Sequence, residues 1–215
     1  MPQIKRLHLA RLDVAGQTWP VHGFVVTHAA GALLVDTGVG GPQEVLDDWR
    51  VVNRTVAAAL ADVDMSPADI SLVINTHLHF DHCGQNSVFS HAPCYVQRAE
   101  LERAKVESPE VCGWFGFMDA SFELLDGDAE IVPGVRVLST PGHTSGHQSV
   151  LVSTEEGSEV LLGDAVYTSR QFAGPPVLPD GQASDRAAWD ASLARIKSSG
   201  AARFHFCHDT AVLPG

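Results

Sequence analysis

Short apolar runs rich in β-branched residues alternate with polar turns over the first forty positions, which predicts strands. Candidate strands cover 4–10, 21–27 and 32–35, and the turn before the last of them is centred on Gly31. Apolar positions within 51–63 instead recur every three or four residues, a spacing that predicts a half-buried helix. The chain is therefore expected to begin with a small sheet followed by a helix.

The same patterns predict alternating strands and helices over the remaining residues. The predicted strands are 71–75, 95–96, a pair within 131–140, 148–153, 159–162 and 203–207, and the predicted helices are 42–49, 98–105 and 185–198. Segment 168–183 carries three proline and two glycine residues, so we expect a long surface loop there. No repeat or shift in composition marks a boundary, and one α/β domain is predicted over 1–215.

Polar residues with chemical potential follow the ends of several predicted strands. They are Asp36, His77, His143, Asp164 and His208. In open α/β sheets the strand ends are where ligand sites are built, because side chains there converge on one edge. The placement predicts that these five residues share a site.

Composition narrows the classes of partner. The 215 residues include 14 Lys and Arg against 26 Asp and Glu, so the net charge is 14 − 26 = −12. A negative surface repels nucleic acid and anionic membranes, and neither is an expected partner. The first twenty residues lack the apolar core of a signal peptide, and no apolar run is long enough to cross a bilayer. With four isolated cysteines, these features predict a cytoplasmic protein with free thiols.

The motif His77-x-His79-x-Asp81-His82 is the strongest local signal for chemistry. Imidazole and carboxylate ligands suit Zn²⁺, and also Fe, Mn or Co, and a motif without thiolates is unlike a closed structural zinc site. His77 and His79 lie two apart on an extended segment and can bind one ion. Asp81 and His82 lie at the following turn and can bind a second ion a few ångströms away.

Two metal ions need more ligands than this motif provides. Three residues further along can supply them, namely His143 in PGHTSGH, Asp164 in LGD and His208 in FCHD. A carboxylate can bridge two cations with its two oxygens, so Asp164 is the candidate bridge. The seven residues together predict a site for two divalent metal ions.

With these motifs the chain resembles the metallo-β-lactamase superfamily from about Ile4 to Val212. The resemblance rests on LVDTG at 34–38, the HxHxDH motif, PGHTSGH at 141–147, Gly-Asp at 163–164 and the late histidine. It implies a four-layer αβ/βα sandwich with a dinuclear metal site along one edge. It also implies how the ligands divide: His77, His79 and His143 on one ion, Asp81, His82 and His208 on the other, and Asp164 with a hydroxide between them.

Within that superfamily the chain is more similar to the N-acyl homoserine lactonases, through HLHFDH, TPGHTSGHQS and GDAVYT. This similarity implies that the bridging hydroxide opens the lactone ring and that the Tyr167 hydroxyl stabilises the oxyanion. Asp81 would pass a proton to the leaving ring oxygen. Phe80 would either line the acyl-chain groove or pack beneath the metal loop. The alternative for Tyr167 is a structural role, with its hydroxyl hydrogen-bonded to the backbone.

Other activities of the same fold remain open at this point. They are a glyoxalase II-like thioesterase, a phosphodiesterase, a persulfide dioxygenase with a single iron, and a non-catalytic binding module.

Asp36, His147 and Asp209 are expected to support ligands rather than bind metal. Cys83 and Cys207 stand where the lactonases usually have Ala and Gly. The aromatic-rich segment 107–122 is a candidate substrate wall or dimer contact, and the expected assembly is a monomer or homodimer.

Overall fold

Seven strands form the first of two mixed sheets in the computed structural model, which describes residues 1–14, 16–107, 121–175, 178 and 182–215. In chain order these strands are β1 (Gln3–Val14), β2 (Gln17–Thr27), β3 (Ala32–Val35), β4 (Val52–Asn53), β5 (Ile70–Ile74), β6 (Cys94–Gln97) and β7 (Phe122–Leu125). The spatial order is β4-β1-β2-β3-β5-β6-β7, antiparallel as far as β3 and parallel from β3 to β7.

Six strands form the second sheet. They are β8 (Ala129–Val132), β9 (Val135–Ser139), β10 (Gln148–Thr154), β11 (Gly157–Leu161), β12 (Arg203–His205) and β13 (Val212–Pro214). Their spatial order is β13-β12-β11-β10-β9-β8, and only β11 and β12 pair in parallel.

Six helices are found in the described part of the chain. They are α1 (Gln43–Asp48), α2 (Val56–Ala61), α3 (Phe80–Cys83), α4 (Arg98–Glu107), α5 (Ser169–Ala173) and α6 (Arg186–Lys197). Three 3₁₀ turns, Pro67–Asp69, Asn86–Phe89 and Gly163–Ala165, complete the described secondary structure. None of the described helices is long and apolar enough to cross a membrane.

Three apolar clusters build four layers from this arrangement. Residues of both sheets, such as Leu33 and Val150, pack against each other between the two sheets. Leu34, one position along β3, points the other way and packs with Leu60 of α2, because successive strand residues face opposite sides. Trp189 of α6 packs on the outer face of the second sheet. The predicted four-layer sandwich is confirmed.

Two predicted elements differ from the structure. The helix expected over 51–63 is confined to α2, because Val52 and Asn53 pair with β1 as an edge strand instead. The loop expected over 168–183 contains the short helix α5, which Thr168 caps by accepting a hydrogen bond from the Gln171 N–H. Most of segment 107–122 lies outside the described residues, and its suggested roles stay predictions.

Candidate metal centre

The five residues expected to share a site do lie together at one edge of the sandwich. Asp36 follows β3, and His77 follows β5; both belong to the first sheet. His143, Asp164 and His208 follow β9, β11 and β12 of the second sheet. All five are buried. The edge where the two sheets meet therefore brings together candidate site residues that are more than 100 positions apart in the chain.

His77, His79 and His143 form the first cluster of metal-binding atoms. His77 Nε2 lies 3.0 Å from His79 Nδ1 and 3.2 Å from His143 Nε2, and the last two atoms are 3.0 Å apart. Two nitrogens bound to one tetrahedral Zn²⁺ would lie about 3.3 Å apart. Asp164 Oδ2 completes the cluster, 3.3 Å from His143 Nε2 and 3.7 Å from His77 Nε2.

Asp81, His82 and His208 form the second cluster around the other oxygen of the same carboxylate. Asp164 Oδ1 lies 3.2 Å from His82 Nε2 and 3.3 Å from His208 Nε2. Asp81 Oδ2 lies 3.6 Å and 3.5 Å from the same two nitrogens. One oxygen of Asp164 faces each cluster, which is the arrangement a bridging ligand needs.

His147 and Gly163 fix the position of Asp164. The Asp164 N–H donates to His147 Nε2 at 2.9 Å, while His147 Nδ1 lies 3.1 Å from the Thr140 carbonyl oxygen. Gly163 has a φ of 57°, and a Cβ there would lie 2.7 Å from His147 Nε2. Glycine at this position lets the chain turn and pass close to the imidazole. His147 thus supports the carboxylate through its backbone, as expected.

Asp36 supports His82 and the segment before the metal motif. Its Oδ2 lies 2.8 Å from His82 Nδ1 and accepts the Thr76 hydroxyl at 2.8 Å, while its Oδ1 accepts the Thr76 N–H at 2.8 Å. A carboxylate on the far nitrogen orients an imidazole and makes it a stronger metal ligand. Asp36 holds this position at a φ of 60°, a conformation unusual for a residue with a Cβ.

Backbone carbonyls orient two other histidines, and the sequence did not predict these contacts. His143 Nδ1 lies 2.5 Å from the Gln182 oxygen, and His208 Nδ1 lies 2.9 Å from the Pro20 oxygen. These contacts direct the Nε2 atoms into the clusters. Every residue presents the same backbone oxygen, so no sequence signal could have found these two contacts.

The charges around the two clusters fit metal ions in different ways. Burial and the neighbouring His143 lower the pKa of His79 to about 3, and burial with nearby histidines lowers the pKa of His77. Neutral imidazole is the form that binds metal. In the second cluster burial opposes protonation of His82, yet Asp164, Asp81 and Asp36 raise its pKa well above the usual value. That surplus of carboxylates favours a cation.

One buried atom supports the same fit. His82 is fully buried, and the Asp164 oxygen 3.2 Å from its Nε2 lacks hydrogen-bond geometry, so that nitrogen has no hydrogen bond within the described residues. A buried nitrogen of this kind is costly unless it binds something. The nitrogen and oxygen donors of both clusters are those that divalent Zn, Fe, Mn or Co accept. The residues therefore fit two metal ions.

Tyr167 lies beside the clusters as expected. Its ring is 5.9 Å from that of His143 and 5.4 Å from that of His208, and Trp19 packs edge-on against it at 5.4 Å. Burial raises the pKa of Tyr167, so its hydroxyl keeps the proton at neutral pH. Among the described residues the hydroxyl has no hydrogen-bond partner, which does not support the backbone-bonded alternative.

Phe80 packs on the apolar core beside the metal motif. Its ring lies 5.3 Å from that of Trp49, which is 39 % exposed, and it contacts the core that includes Leu60. The residue thus contributes to packing and, with Trp49, to an apolar surface near the metal motif.

The two cysteines near the site are buried thiols. Cys83 Sγ donates to the His79 oxygen at 3.2 Å, and Cys207 Sγ donates to Asp164 Oδ1 at 2.9 Å. Burial raises the pKa of both. Cys94 is likewise free and buried, whereas Cys112 lies outside the described residues.

Glu100 is a residue near the site to which the sequence assigned no role. Its carboxylate is fully buried and accepts the N–H of Leu78, the residue between His77 and His79. Burial opposes its ionisation, but Arg103, Thr144 and the Leu78 N–H lower the pKa of the carboxyl below its ordinary value. In sequence Glu100 and Arg103 look like an ordinary surface pair on a helix, and no pattern marks them as buried.

The fold and the two clusters define an αβ/βα sandwich with a dinuclear metal site at the meeting edge of its sheets. A model of the metallo-beta-lactamase superfamily matches residues 16–208 of the chain. The chain belongs to that superfamily.

Named relatives and solved structures point to one group of enzymes. An N-acyl homoserine lactonase of Bacillus sp is 37% identical over 169 residues, which cover 71% of this chain and 66% of that protein. The lactonase AttM of Agrobacterium fabrum (strain C58 / ATCC 33970) is 32% identical over 177 residues, covering 69% and 66%. The chain thus aligns with slightly under two thirds of the length of these relatives.

Two structures extend the similarity over nearly the whole fold. A quorum-quenching N-acyl homoserine lactone lactonase matches with a TM-score of 0.80 and 29% identity, covering 96% of this chain and 92% of that one. An N-acyl homoserine lactone hydrolase with the product N-hexanoyl-L-homoserine at its catalytic metal center matches with a TM-score of 0.79 and 28% identity, covering 97% and 93%.

Proposed function

We propose that this protein is a metal-dependent hydrolase that opens the lactone ring of N-acyl homoserine lactones. The observation that carries the proposal is Asp164, whose two oxygens face two separate histidine clusters. A single-iron dioxygenase would have no use for the second cluster. The likeness to lactonases, including one with its product at the metal center, supports the choice of substrate.

His77, His79 and His143 would hold one ion, and Asp81, His82 and His208 would hold the other, with Asp164 between them. Zn²⁺ is the proposed metal, because three imidazoles at these spacings suit a tetrahedral ion with an open position. The bound ions would supply a water of lowered pKa and would polarise the substrate carbonyl.

Tyr167 and Asp81 are the proposed catalytic residues of the chain itself. The Tyr167 hydroxyl, free of other partners among the described residues, donates a hydrogen bond to the carbonyl oxygen as negative charge develops there. Asp81, with its side chain 9% exposed at the site, takes up the proton that the attacking water loses and passes it to the ring oxygen as the carbon–oxygen bond breaks. Water adds to the carbonyl carbon, so the product is the N-acyl homoserine.

The acyl chain is proposed to lie against Phe80 and Trp49. Their rings are 5.3 Å apart, and the exposed part of Trp49 gives an apolar surface next to the metal motif. Contact there would favour longer chains by roughly 25 cal/mol for each Å² of apolar surface buried.

Proton release from N-hexanoyl and N-dodecanoyl homoserine lactone by zinc-loaded protein, near neutral pH, tests the function. We expect turnover that a chelator abolishes and zinc restores, with both substrates giving the ring-opened product by mass spectrometry. Two bound ions without turnover on either lactone would contradict the proposal. In that case thioesters and phosphodiesters become the substrates to assay.

A further inference from the structure

The carboxylate of Glu100 is a buried charge that the proposed reaction does not use. It lies on the first turn of α4, and its side chain is 0% exposed. Its Oε1 accepts the Leu78 N–H at 2.9 Å. Leu78 stands between two proposed ligands of the first cluster, so this hydrogen bond restrains the backbone that carries both of them.

The same carboxylate also faces the loop that carries the third ligand of that cluster. The hydroxyl of Thr144, the residue after His143, is buried and helps to lower the pKa of the Glu100 carboxyl, although it has no hydrogen bond of regular geometry within the described residues. Two residues further on, a Cβ on Gly146 would lie 2.1 Å from the Glu100 backbone nitrogen. Only glycine lets this loop lie directly on α4. Glu100 is thus in contact with both chain segments that carry the three candidate ligands of the first cluster.

Arg103 provides the opposite charge. Its Nη2 lies 2.6 Å from Glu100 Oε1, and its side chain is only 10% exposed. Its other nitrogen, Nη1, pairs with Glu107 at 2.5 Å on the open side of the helix, where the Glu107 side chain is 56% exposed. The arginine therefore links a buried carboxylate to an exposed one, which gives a matched pair of residues for experiment.

We propose that Glu100 is a positioning residue for the first metal cluster, holding the His77–His79 segment and the His143 loop at the spacing that one ion requires. The inference rests on the proposed metal centre and is independent of the substrate. Residues that orient metal ligands in this way change metal affinity by about 10–100-fold when they are replaced. Glu100 is expected to act on affinity through the ligands and to make no contact with substrate.

The test compares Glu100→Gln and Glu100→Ala with Glu107→Gln, a control that removes the exposed partner of the same arginine. The readouts are the dissociation constants for zinc, from competition with a chromophoric chelator, and the visible absorption spectrum of the cobalt-substituted protein. We expect Glu100→Ala to weaken the zinc equivalent bound by the first cluster by about 10–100-fold and to change the cobalt spectrum. The amide of Glu100→Gln still accepts the Leu78 N–H, so its loss should be smaller, and Glu107→Gln should match the wild type.

Thermal unfolding of each variant separates positioning from general stability. Glu100 variants that unfold at lower temperature yet keep wild-type zinc affinity and cobalt spectrum would overturn the inference. If Glu100→Ala does not fold, the zinc affinities of Glu100→Gln and Thr144→Val are measured instead. Wild-type zinc affinity in both variants would also overturn the inference. A wild-type protein that binds no zinc would contradict the metal centre itself and this inference with it.

Discussion

One carboxylate joins the two halves of the candidate centre. Asp164 is 3% exposed, its oxygens lie 3.2–3.7 Å from four histidine nitrogens, and its own N–H is held by His147. Burial opposes its ionisation, but His82 and His208 lower its pKa well below the ordinary value. At the scale of single residues, no other described side chain has an oxygen facing each cluster.

Replacing Asp164 with alanine should therefore reduce metal content. We expect Asp164→Ala to bind clearly fewer than two ions per chain after dialysis, because both positions lose an oxygen ligand. Elemental analysis of the purified protein measures this. Asp126→Ala, which removes an exposed aspartate paired with Arg98, is the control and should keep the wild-type content. Two ions retained in Asp164→Ala would exclude the bridging role.

Removing only the hydroxyl of Tyr167 tests its role in catalysis. We expect Tyr167→Phe to lower kcat for lactone hydrolysis by about 10²–10³, the usual effect of losing one donor to a developing oxyanion. The ring contacts with Trp19 and His208 remain in the variant, so metal content and folding should not change. Wild-type kcat in a fully metal-loaded variant would show that the tyrosine is structural.

At the scale of elements, the sequence predicted the strands and helices that are specified by a local pattern of residues. Strands such as Ala32–Val35 and helix α6 are found close to their predicted positions, because apolar periodicity and capping residues act locally. Val52 was misassigned because its apolar spacing is equally compatible with a helix, and only the neighbouring strand β1 decides in favour of pairing. Short edge strands of two residues carry no periodic signal at all.

The N-cap of helix α6 provides a test of how the beginning of a helix supports the site. Asp185 caps the helix by accepting the Ala188 N–H at 3.0 Å, and its own N–H donates to the Gly142 oxygen, next to His143. We expect Asp185→Ala to lower the free energy of unfolding in urea by about 1 kcal/mol. Asp185→Asn, which retains a capping oxygen, should stay within a few tenths of a kcal/mol of the wild type. Equal losses in both variants would show that the cap is not the source of the stability.

At the scale of the whole molecule, the candidate ligands and the supports Asp36 and His147 could be predicted, whereas Glu100 and the backbone oxygens that orient His143 and His208 could not. Side chains such as His77 and Asp164 fall at strand ends, and this position can be read from sequence. Their distances depend on how the two sheets meet, through bonds such as Gln148 N–H to the Thr76 oxygen and His22 N–H to the Cys207 oxygen, both 2.9 Å. Contacts of this kind join residues with no relation in sequence, and only the folded chain reveals them.

Because each proposed ion takes ligands from both sheets, metal should stabilise the whole fold. The motif at 77–82 follows the first sheet, whereas His143, Asp164 and His208 follow the second. An ion present at 100 times its dissociation constant stabilises the folded state by about 2.7 kcal/mol. We expect urea unfolding in buffered zinc to need clearly more denaturant than unfolding in chelator, with the midpoint rising as free zinc rises. Asp164→Ala should show a smaller shift, since its ions are held more weakly. Equal midpoints for the wild type with and without zinc would mean that the ions do not link the sheets.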